Sequence, residues 1–216
     1  MTILNVKSAR AIWLVDSRDL NPRGIDILPM LSATKERYNF QIYPKTIEEM
    51  NEQDAKGIVF EGGSFPFGDK HYTIAKVTTY GDGIVVDSGL STDLSEAFLA
   101  DVLSFLSSEF GLTYRPEMIY RKIYTSELIV RTDKDLDGLF SRLSGVREKL
   151  RLLTGQDFQP AGFGFSIDLT VTTARSAAFR FERELNKPFD QHRYYSSAPL
   201  RTSDHEDLLA EMEALL

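Results

Sequence analysis

Between Tyr72 and Gly111 two strand-like runs, a glycine turn and a long apolar-faced helix follow one another without a break. This succession restricts the fold more than any other stretch of the chain. Tyr72 to Tyr80 and Gly83 to Ser88 are the strand-like runs, and Gly81-Asp82-Gly83 between them tolerates the positive φ that a tight hairpin needs. Asp93, followed three residues later by Glu96, has the spacing of a capping box. Leu99, Val102, Leu103, Leu106 and Phe110 then recur at helical spacing, Phe98 and Phe105 widen the stripe, and Gly111 supplies a left-handed stop. Neither hairpin nor helix is stable with its apolar side in water, so the helix is expected to lie across one face of a sheet.

With 216 residues the chain is long enough to bury a core without covalent staples. Its 42 % apolar and 26 % charged content excludes a wholly disordered chain. A formal net charge of -7 argues against broad binding to a phosphate backbone, which needs a surplus of Lys and Arg. With no cysteine there is no disulfide, thiolate nucleophile or cysteine-ligated zinc, which suits a reducing compartment. The first residues lack a basic-then-apolar signal pattern, and no run approaches the roughly 20 apolar residues of a membrane span. The expectation is a cytoplasmic protein that does not enter a membrane.

Ala9 to Asp16 has the composition of a first strand, and Ile25 to Tyr38 that of a helix with Pro29 in its first turn. Phe40, Ile42 and Pro44 suggest a short extended piece, and Thr46 to Lys56 is either a short surface helix or a solvated loop. Gly57 to Phe60 resumes strand character and leads into a conspicuous loop, Glu61 to Asp69, in which Phe65 and Phe67 flank Pro66. Those rings either insert into a partner, aromatic anchors being favoured at interface centres, or fold back onto the core. Gly62-Gly63-Ser64 in the same loop lacks the Lys and following helix of a phosphate-binding Walker loop.

Met118 to Arg131 suits a long antiparallel strand. Leu136, Leu139, Leu143, Val146, Leu150 and Leu153 then fall at heptad spacing, in a helix weakened, or broken in two, by Gly138 and Gly145. Arg142, Arg147, Lys149 and Arg151 form the densest basic group in the chain, a solvated face or, more sharply read, a nucleic-acid contact without aromatics for stacking. Phe163, Phe165, Ile167, Leu169 and Val171 alternate as a strand, and Ala178 to Leu185 follows as its hairpin partner. Phe189 to Pro199 is either a strap over the sheet edge or a recognition site for a small anionic ligand at His192, Arg193 and Tyr195. Ser203 with Glu206 marks the start of a terminal helix, whose Leu208, Leu209, Met212, Leu215 and Leu216 dock on their own domain or offer a dimerising face.

Runs of strands interrupted by single helices predict an α+β fold. Its largely antiparallel sheet is built from hairpins with helices on one face, as a single body spanning 1–216 or as two joined subdomains with a weak boundary near 112–116. Three histidines, His71, His192 and His205, form no metal-binding or nucleophile-activating motif, and His205 in its capping turn is expected to face solvent. The remaining catalytic candidates are strand-end carboxylates: Asp16 and Asp87, joined by His71 or Glu61, could hold Mg²⁺ in a hydrolase or nuclease if they converge. Aspartate at a strand end also begins turns. Without active-site grammar, the favoured expectation is a non-catalytic interaction or structural subunit of a cytoplasmic oligomer. It would carry no cofactor and bind a protein partner or itself through Phe65, Phe67, Leu209, Met212 and Leu216.

Overall fold

A computed structural model of the chain describes residues 1–46, 49, 57–134, 136–168, 170 and 178–216. Among them the order is β1 (Thr2–Leu14), α1 (Ser17–Leu20), α2 (Ile27–Tyr38), β2 (Ile58–Phe67), β3 (Lys70–Tyr80), β4 (Gly83–Ser88), α3 (Thr92–Phe110), β5 (Arg121–Arg131), α4 (Ser144–Thr154), β6 (Gly162–Phe165), β7 (Phe179–Arg183), β8 (Arg193–Ala198) and α5 (Thr202–Glu213). The eight strands hydrogen-bond as an antiparallel sheet in the order β2-β3-β4-β1-β5-β8-β7-β6, the expected α+β class. The chain divides into two compact units, a larger one of 8–126 with 200–202 and a smaller one of 1–7, 127–199 and 203–216. Residues 112–116 lie inside the larger unit, between α3 and a 3-10 turn at Pro116–Met118.

The larger unit is built on the hairpin and helix that open the sequence reading. Tyr80 pairs with Gly83 across a two-residue turn, and Ile74, Val77, Ile84 and Val86 are buried in one cluster with Leu94, Phe98, Leu99, Val102 and Leu103 of α3. Gly111 ends α3 at φ +75, as its sequence position requires. The start of α3 differs from the expectation. Ser91 is the cap, its Oγ accepting from the Leu94 amide at 3.2 Å, because Thr92 and Ser95 are turned into the core. Ser95 Oγ donates to the Ala9 carbonyl at 2.7 Å, and Glu96, freed from a capping box, pairs with Lys122 and Arg201.

The loop expected at Glu61 to Asp69 is instead the second half of β2, with Phe65 opposite Tyr72, Phe67 opposite Lys70, and Gly68-Asp69 as the turn. β2 is an edge strand, where a proline's missing N–H is tolerated. Gly63 is required because a Cβ there would meet the Phe40 ring at 2.4 Å. Of the piece expected at Thr46 to Lys56, only Thr46 and Glu49 are among the described residues.

In the smaller unit Leu128, Val130, Leu136, Phe181, Tyr194, Leu209 and Met212 make the core. Phe189 to Pro199 is not a strap: Arg193–Ala198 is strand β8, whose Tyr194, Ser196 and Ala198 alternate into the interior while Tyr194 stacks on Phe181 at 4.6 Å. The strand expected from Phe163 ends at Phe165. Asp168 then accepts from both the amide and the hydroxyl of Thr170, a local turn that competes with pairing. Leu169 and 171–177, which hold the rest of that strand and its turn, lie outside the described residues. The heptad-spaced segment is not one helix. Leu136 is buried, a 3-10 turn follows at Ser141–Leu143, and the α-helix begins only at Ser144.

Candidate interaction surface

The α4 helix has eleven residues and none is buried. Val146, Leu150 and Leu153, spaced four and three, form its apolar stripe, Leu143 and Leu139 precede it in the 3-10 turn and the turn before that, and each of the five is between 39 and 74 % exposed. Leu152, 70 % exposed, widens it. Removing such a side chain from water is worth about 1.5 to 3 kcal/mol, so the stripe is a large unclaimed contribution.

Nothing local compensates for it. Helices shorter than about 12 to 15 residues are marginal in water, and this one carries Gly145 and no side-chain cap at its start. Its own support is polar and on the surface. Arg147 reaches Asp137 at 3.1 Å and Asp157 at 3.6 Å, and Arg151 forks onto Glu148 at 2.6 and 2.8 Å. Exposed pairs of this kind add only about 0.3 to 0.5 kcal/mol each. Gly155, at φ +70, ends the helix by returning its N–H to the Arg151 carbonyl. Around the stripe, Arg142 and Lys149 are exposed and make no ion pair among the described residues. The patch is therefore apolar at its centre and basic at its rim.

The residues named from sequence as partner anchors divide differently. Phe65 is buried against Phe98, with ring centroids 5.4 Å apart, and is core. Leu209 and Met212 are likewise buried, and Leu216 packs partly on the same cluster. Phe67 lies at the surface with its edge toward Tyr72. On α5 the outward residues are instead Asp204, Glu206, Asp207 and Glu211, followed by Leu215 just beyond the helix end.

The strand-end carboxylates do not converge. Asp87 faces Arg10 across the β1 and β4 ladder, accepting from Arg10 Nε at 2.8 Å and from Ser8 Oγ at 2.8 Å. Asp16 lies past Leu14, at least four strand residues or about 13 Å farther along, whereas carboxylates sharing one ion place their oxygens within about 2.3 to 2.6 Å of it. Asp16 caps α1 and is held by Arg18, whose hydrogen bonds bring its carboxyl down to about 2. His71, opposite Pro66, sits toward the other end of β3 from Gly81-Asp82, against which Val15 and Ser17 bond. Glu61 pairs with Lys76 at 3.0 Å. Among the described residues no group of three or more His, Asp or Glu side chains is placed to hold a metal ion.

His192 and Arg193 do line a depression of about 790 Å³ in the smaller unit. Its charge is mixed, because Asp133, Asp190 and Glu213 line it beside Arg131. His192 Nδ1 lies 2.9 Å from the Lys134 carbonyl, and Arg193 Nε donates to Glu184 at 2.6 Å. Tyr195, on the opposite side of β8 from buried Tyr194, has its hydroxyl pKa raised by burial and by Glu127.

Two further features escaped the sequence reading. His205 is fully buried rather than solvent-facing, with Nε2 2.8 Å from Ser196 Oγ, and Ser196 is itself sealed from solvent. Burial of both members leaves this pair without access to a substrate. Arg201 donates to Asp93, Glu96 and the Tyr124 hydroxyl at 2.6 to 2.7 Å and lies 4.0 Å over the Tyr124 ring. Nothing local in the sequence marks either one, because the partners of Arg201 lie 77 to 108 residues away and the burial of His205 depends on what packs over it.

No protein-family model matches the chain, nor does the sequence of any curated protein. Among the described residues no helix is long and apolar enough to cross a membrane.

Proposed function

We propose that this chain is a non-catalytic subunit of a cytoplasmic homo-oligomer and that α4 is its docking element. The observation that carries this reading is an amphipathic helix whose complete apolar stripe is in water, in a chain whose other helices of comparable length bury theirs. Charge favours a second copy as the occupant. Residues 142–151 hold four cations and one anion within a chain of net charge -7, so the surface of any other copy is acidic by comparison. Among the described residues α5 presents an acidic face, where Asp204, Glu206, Asp207 and Glu211 point outward beside exposed Leu215. An apolar centre with a basic rim complements an apolar tip with an acidic rim.

Light scattering coupled to size exclusion tests this directly. The wild-type chain is expected to elute as an oligomer, and Val146→Asp with Leu150→Asp as a folded monomer whose thermal midpoint no longer depends on protein concentration, since both side chains are exposed on the subunit. A wild-type chain that is monomeric at tens of micromolar removes the proposal.

A further inference from the structure

We infer that the larger unit binds a single aliphatic chain in a half-open cavity of about 450 Å³ between α2, α3 and the strands beside them. Protein interiors pack as densely as organic crystals and leave few voids larger than a water molecule. An engineered apolar cavity of about 150 Å³ already stays dry and admits benzene, and this one is about three times as large. Met30, Leu31, Val77, Ile84, Val102 and Leu103 line it, and each is no more than 6 % exposed. Thr34, Thr79 and, toward Arg18, Ser17 and Asn21 are the polar side chains besides, so water finds few partners among the buried aliphatic residues. Flexible Met and Leu side chains adapt to a bent hydrocarbon better than to a rigid ring.

The mouth is marked by the more exposed lining residues, Ile27, Tyr80 and Arg18. Arg18 is already forked onto Asp16, at 2.6 and 3.0 Å, so the rim is near neutral and makes no demand for a charged head group. The ligand's polar end remains in water while its chain supplies the packing that the core lacks. A neutral alcohol and a carboxylate of equal chain length should therefore bind with affinities within a few fold of one another.

The test is calorimetric titration of the full chain with 1-decanol and with decanoate, both kept below micelle formation, beside thermal unfolding at each ligand concentration. One saturable site is expected, and at ligand one hundred times Kd the folded-to-unfolded ratio should rise about a hundredfold. Val102→Phe fills the cavity, so it should abolish binding while keeping or raising the thermal midpoint. Ile27→Trp obstructs the mouth from a surface position and should weaken binding at least tenfold, which decides the matter if Val102→Phe does not fold. Val146→Asp with Leu150→Asp should bind decanol as the wild type does, which separates this site from adsorption on α4 and from the assembly proposal. No saturable binding by the wild type overturns the inference, as does binding undiminished in every folded cavity variant.

Discussion

His205 makes the stability of the fold depend on pH. Its ring is fully enclosed, and burial lowers its pKa from the usual 6.5 to about 4. The folded value lies below the unfolded one, so the native state holds the neutral ring and the unfolded chain takes up the proton first. The resulting stability is complete above about pH 6.5 and is lost as pH falls toward 4, by about 1.4 kcal/mol per unit. Urea midpoints measured across that range should fall more steeply for the wild type than for His205→Gln; parallel profiles would show that the ring titrates normally. Phe65 and Phe67, two residues apart on one strand, give a second contrast. Phe65→Ala empties a site packed on Phe98 and should cost about 3 to 5 kcal/mol in urea unfolding, whereas Phe67→Ala at the surface should cost under about 1 kcal/mol. In the sequence both flank one proline and look alike. Two residues apart, they share one face of β2; Phe65 lies far enough along the strand to pack on Phe98, whereas Phe67 sits at its end beside the Gly68-Asp69 turn, and only the position of β2 at the sheet edge makes the intervening proline compatible with pairing.

At the scale of elements, α4 is the unit whose local and tertiary requirements disagree. Its stripe was legible in the sequence because four-three spacing is a property of the helix alone. Its exposure was not, because that depends on what else reaches it. Gly145 offers a clean test: a Cβ there meets nothing within 4 Å, and its φ is not in the left-handed region. Gly145→Ala should stabilise the helix by about 1 kcal/mol and tighten self-association about fivefold, read as a lower concentration for half-assembly by analytical ultracentrifugation. An unchanged assembly midpoint would mean that helix formation is not coupled to docking. By contrast, α3 satisfies every local and tertiary demand at once. Its expected cap failed only by two residues, because Ser91 reaches the Leu94 amide while Glu96 is taken by Arg201 and Lys122.

For the whole molecule, docking α4 of one copy on α5 of the next either closes as a two-fold pair, with each helix meeting its counterpart once in each direction, or runs head to tail into a ring or filament. Mixing two monomeric variants tests whether the two surfaces are partners. Arg142→Glu with Lys149→Glu keeps a working α5, and Asp204→Lys with Asp207→Lys keeps a working α4. Together they should form a one-to-one dimer that grows no further, detected by light scattering. If each forms oligomers alone, or the mixture stays monomeric, the two surfaces are not partners.

The sequence by itself determined the elements whose signals are local. These are the Gly81-Asp82 hairpin, the α3 stripe with its Gly111 stop, the antiparallel α+β class, and the apolar and basic patterning of α4. Turn chemistry and residue periodicity act within a few residues, and nothing distant reverses them here. Tertiary structure alone decided which apolar residues were spent. Phe65, Leu209 and Met212 vanish into cores, β8 threads a run of aromatic and small residues between β5 and β7, and Asp16 and Asp87 settle at separate places along the β1 and β4 ladder. Those outcomes rest on pairing register and on contacts between segments far apart in the chain, and hydrophobic burial, being non-directional, does not specify its partner in advance.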